Sequence, residues 1–251
     1  MSKVAIITLA GRSARFSKSV GYECHKSIYC DSDHKWTILS YQLNLLQQNN
    51  FDEIILVAGY RYDEIKRYVM DNFYHFPILL YNNEHYMDYG SCYSLVLGIK
   101  QLNDNAKEVV FIEGDLVFDA ISFENLLKIS GDVITSNRFI VDARNSVAFY
   151  ISKNGRLKYI YDTNHKTLLI KEKFVKIGNS GQVWKMIDAK KIKQIVLHYT
   201  EKDFKKTNLF PISQYYNDID CSKIKIISFK QWFNCNTLDD YKSIKNYLKG
   251  M

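Results

Sequence analysis

The chain has 251 residues, of which 47% are hydrophobic and 14% aromatic. That length suits one large α/β domain, is short for two, and the apolar content fits a globular core. No apolar run is long enough to span a membrane, and the N-terminus lacks the charged and apolar regions of a signal peptide, so the cytoplasm is the expected location. The five cysteines, Cys24, Cys30, Cys92, Cys221 and Cys235, are scattered without CxxC spacing, which indicates neither a zinc site nor a disulfide framework. Charge is uneven: residues 1–125 carry 11 Lys/Arg against 16 Asp/Glu, and residues 126–251 carry 23 against 11. Most of these lysines read as solvated surface, although a basic half also steers an anionic substrate.

Taken in order, Val4–Leu9 is an apolar, β-branched run that predicts a buried strand in a parallel sheet. Small residues follow at Ala10, Gly11, Ser13 and Ala14, with Arg12, Arg15, Lys18 and Lys26 nearby. A small-residue loop at the carboxyl end of a strand lets backbone N–H groups approach a phosphate, so the stretch reads as an anion site. The spacing alone fits an ordinary strand-to-helix turn equally well. Helical spacing over Thr37–Leu46, a strand at Ile54–Ala58, a helix at Asp63–Phe73, a strand at Ile78–Tyr81, a helix at Ser91–Leu102 and a strand at Glu108–Ile112 complete an alternating first half. Such alternation predicts a mostly parallel sheet covered by helices on both faces, a three-layer α/β/α arrangement. The second half predicts strands at Asp132–Thr135, Ser146–Ile151, Leu157–Tyr161, Leu168–Lys171 and Gly181–Met186, with a hairpin turn at Asn154-Gly155. Helices are expected at Ala189–Leu197 and Tyr241–Leu248. There is no repeat or linker, so one domain is expected, with residues 1–125 binding nucleotide and residues 126–251 shaping the acceptor site.

Ala10-Gly11-x-Ser13-x-Arg15-Phe16 followed by Lys26 resembles the signature of the nucleotidyltransferase superfamily, whose members carry a Rossmann-like domain for nucleoside triphosphates. Two departures stand out. Ser13 replaces the second glycine, and His25 replaces the proline usual before the lysine. Tyr81-Asn82-Asn83-Glu84-His85-Tyr86 and Gly90-Ser91-Cys92-Tyr93-Ser94-Leu95 look most like the phosphocholine cytidylyltransferase branch. Asn234-Cys235-Asn236-Thr237-Leu238-Asp239-Asp240 resembles the superfamily's closing motif, with Leu238 in place of a proline. Asp239 and Asp240 suit the start of the last helix.

The resemblance implies a cytidylyltransferase that moves CMP from CTP to a phosphorylated small molecule such as phosphocholine, releasing pyrophosphate, in surface polysaccharide or glycan biosynthesis. Leu9, Ala10, Gly11, Arg12, Ser13, Asn82, Gly90 and Ser91 would bind the nucleotide. Lys26, Arg15 and Asp115 would be catalytic, and Asp115 with Asn236 would hold Mg²⁺. Ser91 is also a plausible helix cap, and Asp115 fits a turn aspartate. Arg138, Arg144, Trp184 and Lys185 are expected to meet the acceptor, with aromatic faces at Phe139, Phe149, Tyr159, Tyr161 and Trp184 available to a quaternary ammonium. His25 and His165 are the histidines worth following, each as a structural residue first. No nucleic-acid partner is expected, and a monomer or homodimer is. The alternatives are a sugar-1-phosphate uridylyl- or thymidylyltransferase, a two-layered glycosyltransferase using Glu113-Gly114-Asp115, and a nucleotide-binding pseudoenzyme.

Overall fold

Alternation along the first strand sets the layers. In the computed structural model, which describes residues 2–31, 36–142, 146–161 and 168–249, the elements in chain order are β1 (Ser2–Leu9), α1 (Ala14–Val20), α2 (Ile38–Gln48), β2 (Glu53–Ala58), α3 (Tyr62–Phe73), β3 (Ile78–Asn82), α4 (Ser91–Lys100), β4 (Ala106–Glu113), β5 (Leu116–Phe118) and α5 (Ala120–Lys128). They continue with β6 (Val133–Ser136), β7 (Ala148–Ser152), β8 (Leu157–Ile160), β9 (Phe174–Met186), α6 (Ala189–Leu197), α7 (Glu201–Phe204), α8 (Leu209–Asn217), β10 (Lys225–Ser228), β11 (Trp232–Asn234) and α9 (Leu238–Lys249). Side chains of a strand point alternately to its two faces. Val4 and Ile6 therefore pack with α4, α6 and α8, whereas Ala5, Ile7 and Leu9 pack with α2, α3 and α5. Because β1 is apolar on both faces, it is buried on both, and the result is the expected α/β/α sandwich.

The main sheet runs β3-β2-β1-β4-β9-β6-β10. β3, β2, β1 and β4 are mutually parallel, β9 is antiparallel to both β4 and β6, and β10 is parallel to β6. The thirteen-residue β9 extends beyond this sheet. Its first half pairs with β7, which also carries β8, and the three form a flap. The hairpin between β7 and β8 turns through Gly155 at φ 69°, a left-handed conformation that glycine adopts without a Cβ clash.

Several elements differ from expectation for physical reasons. β9 begins at Phe174, not Gly181: Phe174 and Ile177 pair with β7, both stay exposed along with Val175 between them, and the small polar run Gly178-Asn179-Ser180-Gly181 separates them from the buried end of the strand. Leu168–Lys171 joins no ladder; it leads into β9, with Leu169 exposed to solvent. α5 and α8 were absent from the sequence reading. α5 is started by Asp119, whose Oδ1 accepts from Ser122 N–H at 2.9 Å. α8 is recognisable only from what it buries, since Ile212, Tyr215 and Tyr216 all lie in the core.

Two residues expected at the acceptor belong to the interior. Trp184 is fully buried, stacks on Phe111 at 5.3 Å, and donates its indole N–H to Tyr159 Oη at 2.7 Å. Its neighbour Lys185 points to the opposite face and is also fully buried. The Lys185 ammonium donates to the carbonyls of Leu127 and Ile129 at the C-terminus of α5 and pairs with Glu108 at 3.2 Å. A cation there complements the negative end of the helix. Arg138 is exposed on the loop after β6, and Arg144 and His165 lie outside the described residues. Trp184→Ala should therefore act on stability. It removes a large core side chain and leaves the buried Tyr159 hydroxyl without its partner, a loss of about 3–5 kcal/mol measured by urea unfolding.

Candidate active site

Asp115 and Asn236 are 121 positions apart in sequence, and a short ladder brings them together. β5 and β11 pair antiparallel, with Leu116 opposite Asn234, and Cys235 N–H then donates to Asp115 O at 2.8 Å. Asn236 is fixed further from the other side. Asp240 Oδ2 accepts from the backbone N–H groups of Asn236 and Thr237 at 2.9 and 2.8 Å. Asp240 thus ties the start of α9 to the site. Asp115 itself follows Gly114 at the end of β4. A Cβ at Gly114 would lie 2.3 Å from Leu9 Cδ2 and 2.6 Å from Thr8 O, so only glycine lets β4 turn this close to β1.

The loop after β1 is braced at both of its departures from the superfamily pattern. Ser13 takes φ 54°, a left-handed conformation, and its hydroxyl accepts from Lys26 N–H at 3.2 Å. The His25 ring bridges the same loops. Its Nδ1 accepts from Ser27 N–H at 3.2 Å, which assigns the proton to Nε2, and Nε2–H donates to Leu9 O at 2.8 Å. The ring is 3% exposed, and burial lowers its pKa to about 4. Ser27 Oγ donates to Gly114 O at 2.8 Å and closes the connection to β4. His25 is thus a neutral spacer that ties the end of β1 to the segment carrying Lys26.

Lys26 is delivered to the centre. Its Nζ lies 2.8 Å from Asp115 Oδ2 and 3.1 Å from Asn236 Oδ1, and Arg15 Nη2 donates to the same Asn236 oxygen at 2.9 Å. Asn236 Nδ2 donates to Asn234 Oδ1 at 2.5 Å, which fixes the amide with its oxygen toward the two cations. Asp115 Oδ1 is buried and without a hydrogen-bond partner among the described residues. One carboxylate and one amide oxygen, with a lone pair left over, fit a hard divalent cation that retains phosphate and water ligands. No cluster of three or more His, Cys, Asp or Glu able to hold a metal is found among the described residues.

These groups line a cleft of about 490 Å³ at the carboxyl ends of β1 and β4, where open α/β sheets bind ligands. Leu9, Ala10, Gly11, Arg15, Lys26, Gly90, Ser91, Asp115 and Asn236 all face it. Nothing lies within 4 Å of where a Gly11 Cβ would stand, so the backbone there is open to the cleft. Arg12 is exposed and Ser13 is buried behind the loop, and neither is among the lining residues. Asn82 points outward at the end of β3. The next residue, Asn83, faces inward, is 1% exposed, and donates to Ser94 Oγ at 2.9 Å. Asn83 shares the α4 face of β3 with Tyr81, and its bond to Ser94 of α4 holds it there. Gly90 has a packing reason as well, since a Cβ would fall 2.2 Å from Lys206 O.

The opposite wall holds residues that sequence reasoning left out. Asn208 donates from Nδ2 to Glu113 Oε1 at 2.7 Å, and its backbone N–H donates to Ser91 Oγ at 3.0 Å. Burial, and then the neighbouring Asp115 charge, push the Glu113 carboxyl up to about 8. Asn208 carries no local motif, so only the docking of α8 reveals it. Of the five aromatics considered for the acceptor, Tyr161 lines the cleft, Phe149 and Trp184 are core, Tyr159 is half-buried against them, and Phe139 is exposed edge-on to Trp232 at 6.1 Å. Trp232 lines the cleft and donates its indole N–H to Gly181 O at 2.8 Å.

The His25 bridge generates a pH dependence. An unfolded histidine binds its proton near pH 6.5, whereas folded His25 stays neutral down to about 4. Its contribution is complete above pH 6.5 and is lost as pH falls from there toward 4, by roughly 3 kcal/mol. His25→Gln does not titrate. The stability gap between wild type and this variant, measured by urea unfolding at pH 7.5, 6 and 5, should narrow or reverse with acidification.

Comparison with known proteins agrees with this architecture. The chain is similar to the inositol-1-phosphate CTP transferase from T. maritima, with a TM-score of 0.70 at 13% identity over 95% of this chain and 91% of that one. It is similar to CTP:phosphocholine cytidylyltransferase from Streptococcus pneumoniae, with a TM-score of 0.65 at 18% identity over 99% and 100%. A third, HddC from Yersinia pseudotuberculosis complexed with GMP-PN, has a TM-score of 0.60 at 18% identity over 98% and 100%. In sequence, 100 residues are 34% identical to choline-phosphate cytidylyltransferase of Haemophilus influenzae, and the match spans 40% of this chain and 40% of that relative. The fold is that of the nucleotidyltransferases. With residues 22–248 matched by its model, the chain belongs to the family described as a domain of unknown function, DUF6564.

Proposed function

We propose that the protein is a Mg²⁺-dependent nucleotidyltransferase, with CTP as the favoured donor and a phosphorylated small molecule as the acceptor. The observation that carries this reading is the convergence of Lys26, Arg15, Asp115 and Asn236 beside the open backbone at Gly11. Two cations and two oxygens fit for a metal, next to a small-residue loop, suit a polyphosphate such as a nucleoside triphosphate. The names of the cytidylyltransferase relatives support the choice of base. A phosphocholine-like acceptor is consistent with Tyr161 and Trp232 in the cleft wall. A role in surface polysaccharide or glycan biosynthesis, in the cytoplasm where nucleoside triphosphates are made, belongs to the same proposal.

In this reading an oxygen of the acceptor phosphate attacks the α-phosphorus. The new P–O bond forms as the α–β bridging bond breaks, and pyrophosphate leaves with that electron pair. The attacking oxygen is already ionised at neutral pH, so no general base is required, and catalysis rests on positioning and charge neutralisation. Arg15 and the backbone from Leu9 to Gly11 hold the β- and γ-phosphates. Lys26 meets the charge that grows on the α-phosphate. Asp115 and Asn236 would hold Mg²⁺, which would supply charge neutralisation to bound phosphates.

Purified protein offered each of the four nucleoside triphosphates, Mg²⁺ and a panel of phosphocholine, phosphoethanolamine and sugar 1-phosphates should release pyrophosphate best with CTP and an amine- or alcohol-bearing phosphate. No pyrophosphate with any pair would refute the assignment. Lys26→Ala should lower kcat by roughly two to three orders of magnitude with a smaller effect on nucleotide binding, the scale of one lost preorganised contact. Asn236→Asp adds a carboxylate beside Asp115 and should move the Mg²⁺ optimum of the reaction to lower concentration. An unaltered titration would remove Asn236 from the metal.

A further inference from the structure

The oxygens assigned to the metal already have a cation. Lys26 Nζ sits between Asp115 Oδ2 and Asn236 Oδ1, at 2.8 and 3.1 Å. Both residues are anchored independently of the lysine, Asp115 by its backbone and Asn236 by backbone and side chain. Asp115 is pinned through its carbonyl to Cys235, and Asn236 through its amide to Asn234 and its backbone to Asp240. Lys26 is the movable member. Its backbone is anchored to Ser13, but its ammonium is carried on a flexible four-carbon stem that faces the cleft.

We propose that Lys26 is an internal counter-ion that competes with free divalent cations for the Asp115–Asn236 pair, so that they bind weakly, and that yields most readily when a bound phosphate offers its ammonium a replacement anion. The inference rests on the proposed metal role of Asp115 and Asn236. An ammonium and a divalent cation cannot occupy one pair of oxygens, because their repulsion at such distances is large wherever water is scarce. Moving the lysine away with no new partner leaves a half-buried charge unpaired, which opposes the exchange. A phosphate oxygen removes that opposition, since it takes the ammonium in a charge-assisted hydrogen bond. Metal and nucleotide are then coupled through one side chain: the nucleotide-free protein binds the ion weakly, and the ion is best held when it arrives with phosphates.

The test uses Mn²⁺ as the probe and no nucleotide. Binding is followed by electron paramagnetic resonance of free Mn²⁺ for wild type and Lys26→Met. The variant should bind at least about tenfold more tightly, the scale on which one adjacent charge shifts the affinity of a carboxylate for a cation. In the wild-type protein, saturating Mn²⁺ should raise acetylation of Lys26 by acetic anhydride several-fold, as read by mass spectrometry, because the displaced amine is no longer tied to Asp115. This second measurement decides the matter if Lys26→Met does not fold. Equal Mn²⁺ affinity in the two proteins, no binding to either, or unchanged labelling of Lys26 would overturn the proposal. The outcome is separable from the activity: an exchange observed in a protein that releases no pyrophosphate would end the nucleotidyl-transfer reading and leave this one standing.

Discussion

A three-residue ladder holds the end of this chain against its middle, and the site depends on it. Without the pairing of β5 with β11, Asn236 would have no reason to lie beside Asp115, and α9 would have no fixed start. The ladder is short and offers few backbone bonds of its own. Its register is set by what surrounds it: Val117, Cys235, Tyr241 and Ile244 form a small third core with Phe16 of α1. One apolar cluster thus reaches from the helix after the anion loop to the helix after the closing motif. Arg15 and Asn236 are brought within hydrogen-bond distance by the same packing.

The site is also a case of polar groups braced in series. Leu9, His25, Ser27 and Gly114 form a hydrogen-bonded chain that ties β1 to β4. Each link is buried, so each is strengthened by low local dielectric, and each would be costly to leave unmade. Ser13 and His25 look like losses when set against the superfamily pattern. In place they compensate for one another, because Ser13 anchors the backbone of Lys26 while His25 anchors the strand end that precedes the loop. Lys26 thus owes its direction to two buried residues, Ser13 and His25, on either side of the loop.

Legibility from sequence followed the strength of periodic burial. β1, β2 and β4, buried on both faces, stood out as apolar runs, and α3 showed its buried stripe plainly. The Lys26, Asp115 and Asn236 positions were legible because each lies in a short local pattern. Trp184 and Lys185 were misread because composition says nothing of side-chain direction: a strand with a tryptophan and a lysine side by side looks like a binding wall, yet both are interior, one in an aromatic stack and one on the end of a helix. Asn82 was one residue from the inward-facing Asn83. Asn208 and Trp232 were invisible for a different reason, since they reach the cleft through long-range docking of α8 and β11, which no local pattern encodes.

The double membership of β9 has a mechanical meaning. Residues 183–186 are clamped between β4 and β6, while Phe174–Asn179 belong to the flap with β7. Because the strand is continuous through the change of partners, the flap is rooted in the main sheet and is not a separate body on a linker. Its far turn is tied back as well, since Cys221 N–H donates to Gly155 O at 3.2 Å and Arg156 donates to Asn217 O at 3.1 Å. The flap is thus a beam supported at both ends, and load on it is shared between the Gly155 turn and the root beside Gln182, which faces the cleft.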